Sequence, residues 1–190
     1  EPLVAAGLNV VVVDNADTAH AVRADVELIA NTENLGFPCA VNQGLERCDG
    51  DVVLLVNPDC VVPPETVDAL VAYLREHPDV AVAGPRLREA DGSVNVSAHP
   101  IASFGTLLAN RARRFLPFFT PLVARNPRFA SYDACLRATE PTDVEMMIAA
   151  CVAVRGSFLR DELGGLDEGY FMYCEDMELC LQAWARGHRV

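Results

Sequence analysis

Short runs of apolar, mostly β-branched residues recur along the chain and alternate with polar turns and stretches of helical periodicity. The runs predict strands at residues 8–13, 26–30, 52–56, 80–83 and 146–154. Continuous apolar runs of this length are typical of strands buried on both faces of a parallel sheet. The first three runs end in Asp or Asn, so polar groups are expected where strands of such a sheet end.

Helical spacing separates these runs. After Pro63-Pro64, apolar residues at i, i+3, i+4 and i+7 from Val67 predict a helix, and residues 39–48 show a weaker helical pattern. Further on, 157–165 predicts one or two helical turns and 176–186 a helix. Strands that alternate with helices predict an α/β fold, in which ligands bind at the carboxyl ends of the strands.

Composition narrows the class of protein. The 190 residues are 51% hydrophobic and 22% charged, which fits one globular domain, and the net charge of -12 argues against a general nucleic-acid binder. No run of about 18 apolar residues predicts a membrane-spanning helix, and no signal peptide is recognised. Seven cysteines without a CxxC pair are expected to be buried thiols in a reducing compartment, which favours a cytoplasmic location.

Residues 98–137 differ from the rest of the chain. This segment contains six arginines, one acidic residue, Asp133, and several phenylalanines and leucines. A basic, aromatic segment can lie on an anionic membrane surface or line an acceptor groove. A loop and helix insertion with a solvated basic face accounts for the same composition.

Two pairs of acids, Asp167-Glu168 and Glu175-Asp176, flank an aromatic GYFMY segment near the last predicted helix. Acidic residues are favoured in the first turn of a helix, so spacing alone is also consistent with an ordinary helix start. Asp59, at the end of a predicted strand, is likewise consistent with a turn before Pro63-Pro64.

Four motifs in a fixed order carry more information than any one of them. The segments VVVDNADT (11–18), NLGFPCAVNQG (34–44), LLVNPDCVV (54–62) and GGLDEGYFMYCEDMELC (164–180) resemble those of inverting nucleotide-sugar glycosyltransferases of family 2, notably the rhamnosyltransferase-like branch. The resemblance implies a GT-A fold, with a Rossmann-like, mostly parallel central sheet flanked by helices. It also implies that the chain lacks the family's first strand and is truncated at both ends. Residues 1–97 would form the nucleotide-sugar-binding half and 98–190 the acceptor-binding half of one catalytic domain.

The resemblance also assigns residues to the nucleotide-sugar donor. Asp14 is expected to contact the nucleobase or ribose, and Asp59 to be the last acid of a DxD-like metal motif whose first acid is replaced here by Asn57. One carboxylate is compatible with Mg²⁺ or Mn²⁺ bound together with substrate phosphates. The full set expected to bind the nucleotide sugar is Asp14, Asn15, Asn34, Gly36, Asn42, Asn57 and Asp59.

On the acceptor side, the Glu175-Asp176 pair resembles the family's ED motif. Asp176 is then the catalytic base that takes a proton from the acceptor hydroxyl, with Glu175, Asp167 and Glu168 shaping the acceptor side or orienting the base. The aromatic residues of the GYFMY segment either stack on a sugar ring or pack in the core. We interpret His188 as an exposed histidine near the end of the sequence rather than a metal ligand.

The function expected from this resemblance is inverting transfer of a sugar, with rhamnose one candidate, from a nucleotide-diphosphate donor to a glycan or polyprenyl-linked acceptor. The setting would be cell-envelope polysaccharide synthesis at the inner face of the membrane. A non-catalytic remnant that binds nucleotide sugars is the alternative. A nicotinamide-dependent dehydrogenase is disfavoured because the GxGxxG phosphate turn is absent.

Overall fold

The computed structural model describes residues 2–15, 26–101 and 138–190. Its helices are α1 (Pro2–Ala5), α2 (Phe37–Leu45), α3 (Pro64–Glu76) and α4 (Glu175–Ala185), with a π-helical turn at Phe158–Glu162. Its strands are β1 (Val11–Asp14), β2 (Glu27–Ala30), β3 (Val52–Val56), β4 (Val82–Ala83), β5 (Ala98–His99), β6 (Met146–Met147) and β7 (Cys151–Arg155). The segment 98–137, with its predicted membrane or groove contact, lies almost entirely outside the described residues.

Strand β7 is the centre of the main sheet. It pairs antiparallel with β3 along its whole length, from Val52 opposite Arg155 to Val56 opposite Cys151, and antiparallel with β4 on its other side. Its four apolar residues are buried, as the continuous apolar run requires. The single strand predicted at 146–154 is wrong in one respect, because a turn at 148–150 divides it into β6, which pairs with β5, and β7.

The other described strand pair, β1 and β2, is parallel. Strand β2 was predicted to be buried on both faces, and this is wrong, because its Leu28 is 42% exposed. Among the described residues β2 pairs with one strand only, so it lies at an edge of its sheet rather than at the centre. The predicted α/β fold is confirmed. Its described pairings are mixed rather than mostly parallel because β7 lies antiparallel between β3 and β4, which run in the same direction as each other.

Helix α3 begins at Pro64, where the missing N–H costs no hydrogen bond, and buries Val67, Leu70 and Leu74. Arg155, the last residue of β7, connects the sheet to the end of this helix. Its guanidinium donates hydrogen bonds to the carbonyl oxygens of Leu74, His77 and Val80, at 2.6 to 3.1 Å. The helices predicted near 39–48, after Pro64 and at 176–186 are confirmed with shifted ends, and the turns predicted at 157–165 form the π-helical turn.

The main core lies where β7, the π-helical turn and α4 meet. Phe158, Leu159 and Ala183 are completely buried there, and Cys180 and Leu179 on the inner face of α4 join them. The core therefore fixes the position of α4, whose first residues are the Glu175-Asp176 pair, relative to the main sheet.

Candidate functional site

The loop at residues 31–36 connects β2 to α2 and is held by side-chain amides. Asn15, directly after β1, donates through Nδ2 to Asn34 Oδ1 at 3.0 Å and to the Gly36 carbonyl at 2.9 Å. Its Oδ1 accepts from the Leu35 backbone N–H and from Asn31 Nδ2, each at 3.0 Å. A carboxamide has two donor hydrogens and two acceptor lone pairs. The Asn15 side chain therefore uses its full hydrogen-bonding capacity within the protein.

A second pair of amides extends this network to α2. Asn31 Nδ2 donates to Gln43 Oε1 at 2.8 Å, and Gln43 Nε2 donates back to Asn31 Oδ1 at 3.1 Å. The backbone N–H of Asn31 also donates to the carbonyl oxygen of Asp14 at 2.8 Å. The ends of β1 and β2 and the middle of α2 are thus connected by hydrogen bonds beside Asp14.

Gly36 allows a close backbone approach at the start of α2. Its φ of 89° and ψ of 163° belong to a region that is essentially restricted to glycine. A Cβ at this position would lie 2.6 Å from the carbonyl oxygen of Phe171, the same oxygen that accepts from the Phe37 N–H at 2.9 Å. The start of α2 and the aromatic segment before α4 are therefore in direct backbone contact.

Asn42, one residue before Gln43, extends from α2 on the side away from the amide network. Its Oδ1 accepts from the Leu166 N–H at 2.8 Å, and its Nδ2 donates to the Leu166 carbonyl and to Glu168 Oε1, both at 2.9 Å. Gly165 leaves the space for this contact, since a Cβ there would lie 2.5 Å from Asn42 Oδ1. Both donors of Asn42 are thereby used to hold the 164–168 segment against α2.

A cleft of about 470 Å³ opens between that segment and α4. Its polar lining combines the predicted acceptor-side acids with one face of α4, where residues three or four positions apart point the same way. We call it the acidic cleft. The polar residues that line it are Asn42, Asp167, Glu168, Glu175, Glu178, Gln182 and Arg186.

Glu175 and Asp176 begin α4 but differ in their surroundings. Glu175 lines the acidic cleft, and its pKa is raised above the ordinary value, chiefly by burial and further by the adjacent Asp176. Its Oε2 is buried without a hydrogen-bond partner among the described residues. Asp176 is not part of the cleft lining, and its Oδ1 accepts from the Met177 N–H at 2.7 Å, as an acid in the first turn of a helix can.

The chain enters α4 through an unusual backbone. Tyr173 and Cys174 both have φ near 70°, a left-handed conformation uncommon for residues other than glycine. Two aromatic side chains of this segment are exposed to solvent, Phe171 to 58% and Tyr173 to 76%. Packing of these two side chains in the core is therefore the wrong alternative, while Tyr170 is half-buried.

Asn57 and Asp59 lie in the turn that follows β3. The Asn57 N–H donates to the Ala150 carbonyl at 2.8 Å, which places this turn beside the 148–150 turn between β6 and β7. Asp59 is exposed, and the pKa of the neighbouring Cys60 thiol is raised by burial and by its hydrogen bond to Asp59. Within residues 2–15, 26–101 and 138–190, no group of three His, Cys, Asp or Glu side chains could hold a metal ion.

His188 is half-buried, so the prediction of an exposed histidine is wrong. Its Nε2 lies 3.1 Å from a carboxylate oxygen of Glu162, and its ring packs edge-on against Phe158 with the centroids 5.2 Å apart. These contacts fix the end of the chain to the π-helical turn, and no metal ligand role follows from them.

The structure thus gathers the predicted residues into three groups. Asp14, Asn15, Asn34 and Gly36 surround the 31–36 loop, and Asn57 and Asp59 lie together after β3. Asn42, Asp167, Glu168 and Glu175 line the acidic cleft, with Asp176 next to Glu175 in the chain but outside the lining. Asn31 and Gln43 were not among the predicted site residues, although Asn31 ends a strand and Gln43 follows Asn42 in its motif. Glu178, Gln182 and Arg186 could have been found from their helical spacing relative to Glu175.

Comparison with known proteins identifies relatives of the chain. Residues 5–135 match the family model for glycosyl transferase family 2. An N-acetylglucosaminyl-diphospho-decaprenol L-rhamnosyltransferase of Mycobacterium tuberculosis is 31% identical, over 90% of this chain and 59% of the relative. The chain therefore spans about three-fifths of the length of that relative. No helix in the described part of the chain has the length and apolar character needed to cross a bilayer.

Two solved structures share the fold. A mannosyltransferase from Pyrobaculum calidifontis in complex with GDP-mannose and Mn²⁺ has a TM-score of 0.57 and 19% identity, over 95% of this chain and 44% of its own. GalNAc-T7, solved with UDP, GalNAc and Mn²⁺, has a TM-score of 0.61 and 16% identity, over 94% of this chain and 35% of its own. Both are GT-A glycosyltransferases, and the expected GT-A fold is confirmed.

Proposed function

Because the chain belongs to glycosyl transferase family 2, we propose that it transfers a sugar from a nucleoside diphosphate donor to an acceptor hydroxyl with inversion at the anomeric carbon. L-rhamnose is the candidate sugar, and the candidate acceptor is a polyprenyl-linked glycan, because the mycobacterial relative is named for both. The proposed setting is assembly of cell-envelope polysaccharide on the cytoplasmic side of the membrane.

The observation that carries this proposal is that α2 connects two sites of different chemistry. One side of the helix, through Gln43, contacts the amide network beside Asp14, and the other, through Asn42, contacts the lining of the acidic cleft. A transferase must hold donor and acceptor next to each other, since correct relative orientation lowers the entropic part of the barrier. We therefore assign the donor to the 31–36 loop side and the acceptor to the acidic cleft, with the donor half in 1–97 and the acceptor half in 98–190.

On the donor side, we propose that Asp14 binds the nucleobase or ribose and that Asn34 and Asn57 supply further polar contacts. Asn15 and Gly36 belong to the same site as residues that shape it, whereas Asn42, predicted for the donor, contacts the lining of the acidic cleft. Among the residues that the structure describes, Asp59 is one exposed carboxylate rather than part of a preformed metal cage. This fits Mg²⁺ or Mn²⁺, since either can take few protein ligands when substrate phosphates complete the coordination. Such an ion supplies charge neutralisation at the departing diphosphate.

On the acceptor side, we assign the role of general base to Asp176. Its carboxylate takes the proton of the acceptor hydroxyl while the hydroxyl oxygen bonds to the anomeric carbon from the face opposite the leaving diphosphate. Asp176 lies outside the cleft lining but directly follows Glu175 in the chain, and Glu175, Asp167 and Glu168, which line the cleft, are proposed to hold acceptor hydroxyls. The exposed rings of Phe171 and Tyr173 lie on the segment between these acids and offer flat apolar surfaces to a sugar.

The basic segment 98–137 is proposed to contact an anionic membrane surface when the acceptor is lipid-linked. Six arginines against a single acid give this segment a positive charge within a chain of net charge -12. Basic residues close to an anionic leaflet are each worth about 1 kcal/mol of attraction. Binding to vesicles with and without phosphatidylglycerol, at low and high salt, tests this part of the proposal separately from catalysis.

Calorimetric titration with UDP, dTDP and GDP, with and without Mn²⁺, tests the donor site. We expect metal-dependent binding of one nucleotide, which Asp59→Ala abolishes and which Asp68→Ala, the same change at an exposed position of α3, leaves intact. Absence of binding by the unmodified chain would refute the proposal.

Transfer of sugar to a polyprenyl-diphosphate glycan tests the chemistry. Asp176→Asn should retain nucleotide binding and lose about 10²–10⁴-fold in kcat, the usual contribution of a general base. If Glu175→Gln lost this rate and Asp176→Asn did not, the base would be Glu175. Metal-dependent nucleotide binding without transfer of any sugar would identify the chain as a non-catalytic binding protein.

A further inference from the structure

Three carboxamides form a continuous chain of hydrogen bonds from α2 to the 31–36 loop. Gln43 and Asn31 exchange two hydrogen bonds, Asn31 donates to Asn15, and Asn15 contacts the loop at Asn34, Leu35 and Gly36. Gln43, Asn31 and Asn15 are all half-buried, while Asn34 and Leu35 are exposed. One end of this series of hydrogen bonds thus lies on a helix, and the other end lies on a surface loop beside Asp14.

The number of bonds at each amide limits what these side chains can do. All four hydrogen-bonding positions of Asn15 are occupied, and both donor hydrogens of Asn31 are used. A direct contact to a nucleotide through either of these donors would first break a bond to the protein. The Asn15 and Asn31 side chains are therefore placed to hold the loop rather than to donate to a ligand, and Gln43 supports them by exchanging two hydrogen bonds with Asn31.

From this arrangement we infer that Asn15, Asn31 and Gln43 are positioning residues that hold the 31–36 loop in its nucleotide-binding conformation and so set donor affinity without touching the donor. This inference rests on the proposed function, because it assumes that the loop binds the nucleotide. Its physical basis is preorganisation: a loop that is already ordered does not lose conformational entropy when the ligand binds.

Two measurements on the same variants, amide exchange of the unliganded loop and nucleotide affinity, distinguish a positioning role from a contact role. Loss of a positioning residue loosens the unliganded loop, so the amides of Leu35 and Gly36 exchange faster with solvent, and affinity falls as a result. Loss of a contact residue lowers affinity while the exchange of the unliganded loop stays the same.

The experiment compares Asn31→Ala and Gln43→Met with Asn9→Ala. Asn9 is an exposed asparagine whose side chain makes one long hydrogen bond of 3.4 Å to the Arg47 carbonyl, outside the network. Gln43→Met keeps the length of the side chain and a good helix former on α2. Asn31→Ala lies outside the helix, so it tests the network even if the α2 variant folds poorly.

Hydrogen exchange of a peptide covering residues 31–38 is measured first, without ligand. We expect faster exchange in Asn31→Ala and Gln43→Met and unchanged exchange in Asn9→Ala. Calorimetric binding of the nucleoside diphosphate and Mn²⁺ should then weaken about tenfold in Asn31→Ala, equivalent to about 1.4 kcal/mol, and less in Gln43→Met, which is one step further from the loop.

Unchanged loop exchange in both variants would overturn the inference, and so would faster exchange with wild-type affinity. Weaker binding with unchanged exchange would instead assign these residues to direct contact and also overturn it. If the unmodified chain binds no nucleotide, the proposed function fails and takes this inference with it, an outcome distinguishable from the others because it requires no variant.

Discussion

Replacement of Gly36 by alanine should separate the start of α2 from the segment that leads into α4. Two independent features of the structure disfavour any side chain at this position. The backbone has φ 89° and ψ 163°, and an added Cβ would lie 2.6 Å from the carbonyl oxygen of Phe171. That oxygen also accepts the Phe37 N–H, so a shift that relieves the contact lengthens or breaks this hydrogen bond.

The magnitude follows from adding these effects. A residue other than glycine in this backbone region costs about 1–3 kcal/mol, and a lost backbone hydrogen bond costs about 1 kcal/mol. The total of about 3 kcal/mol corresponds to a fall in Tm of about 10 °C for a chain of this size. Gly92→Ala is the matched control, because Gly92 has φ 83° but an added Cβ would meet no atom within 4 Å. It should cost about 1–2 kcal/mol, the left-handed penalty alone.

Thermal unfolding of both variants measures the difference, and sugar transfer by each variant at a temperature where both remain folded measures its consequence. Gly36→Ala should lose transfer, because it disturbs both the 31–36 loop and the entry to α4, whereas Gly92→Ala should retain it. Equal Tm values for the two variants, or normal transfer by Gly36→Ala, would refute this reasoning. The close approach of Gly36 to Phe171 would then not be needed to hold the start of α2 against the segment before α4.

Two further predictions concern a structural arginine and an acid of the cleft. Arg155→Met should lower the free energy of unfolding by about 3 kcal/mol, because three carbonyl oxygens lose a charged donor. Arg75→Met, at an exposed position of α3, should change it little in the same urea titration, and equal effects would contradict the role of Arg155. For Glu175, burial raises the pKa above its ordinary 4.5, so ionisation destabilises the folded state. Relative to Glu175→Gln, the wild-type protein should lose stability as pH rises from about 4.5 through the raised pKa. Tm values measured between pH 4 and 7 that run parallel for the two proteins would contradict this.

The sequence determined the local elements and the type of chemistry. The apolar runs gave β3 and β7 because strands at the centre of a domain bury their side chains, and the spacing after Pro63-Pro64 gave α3 because proline is favoured in the first turn of a helix. The order of four motifs identified the family, since four motifs in a fixed order are far more specific than any one of them. That the polar ends of the first three strands mark the ligand-binding edge of the sheet stays a prediction.

Only the tertiary structure decided which of these residues meet. The antiparallel position of β7 between β3 and β4 depends on pairings between residues 70 to 103 positions apart, which local patterns do not encode. The reciprocal hydrogen bonds of Asn31 with Gln43 and of Asn42 with Leu166 could not be predicted either. The sequence shows that a side chain is an amide, but not whether that amide binds a ligand or another part of the protein. The sequence therefore identified side chains capable of binding, and the packing of α2 against two loops determined which of them hold the protein together.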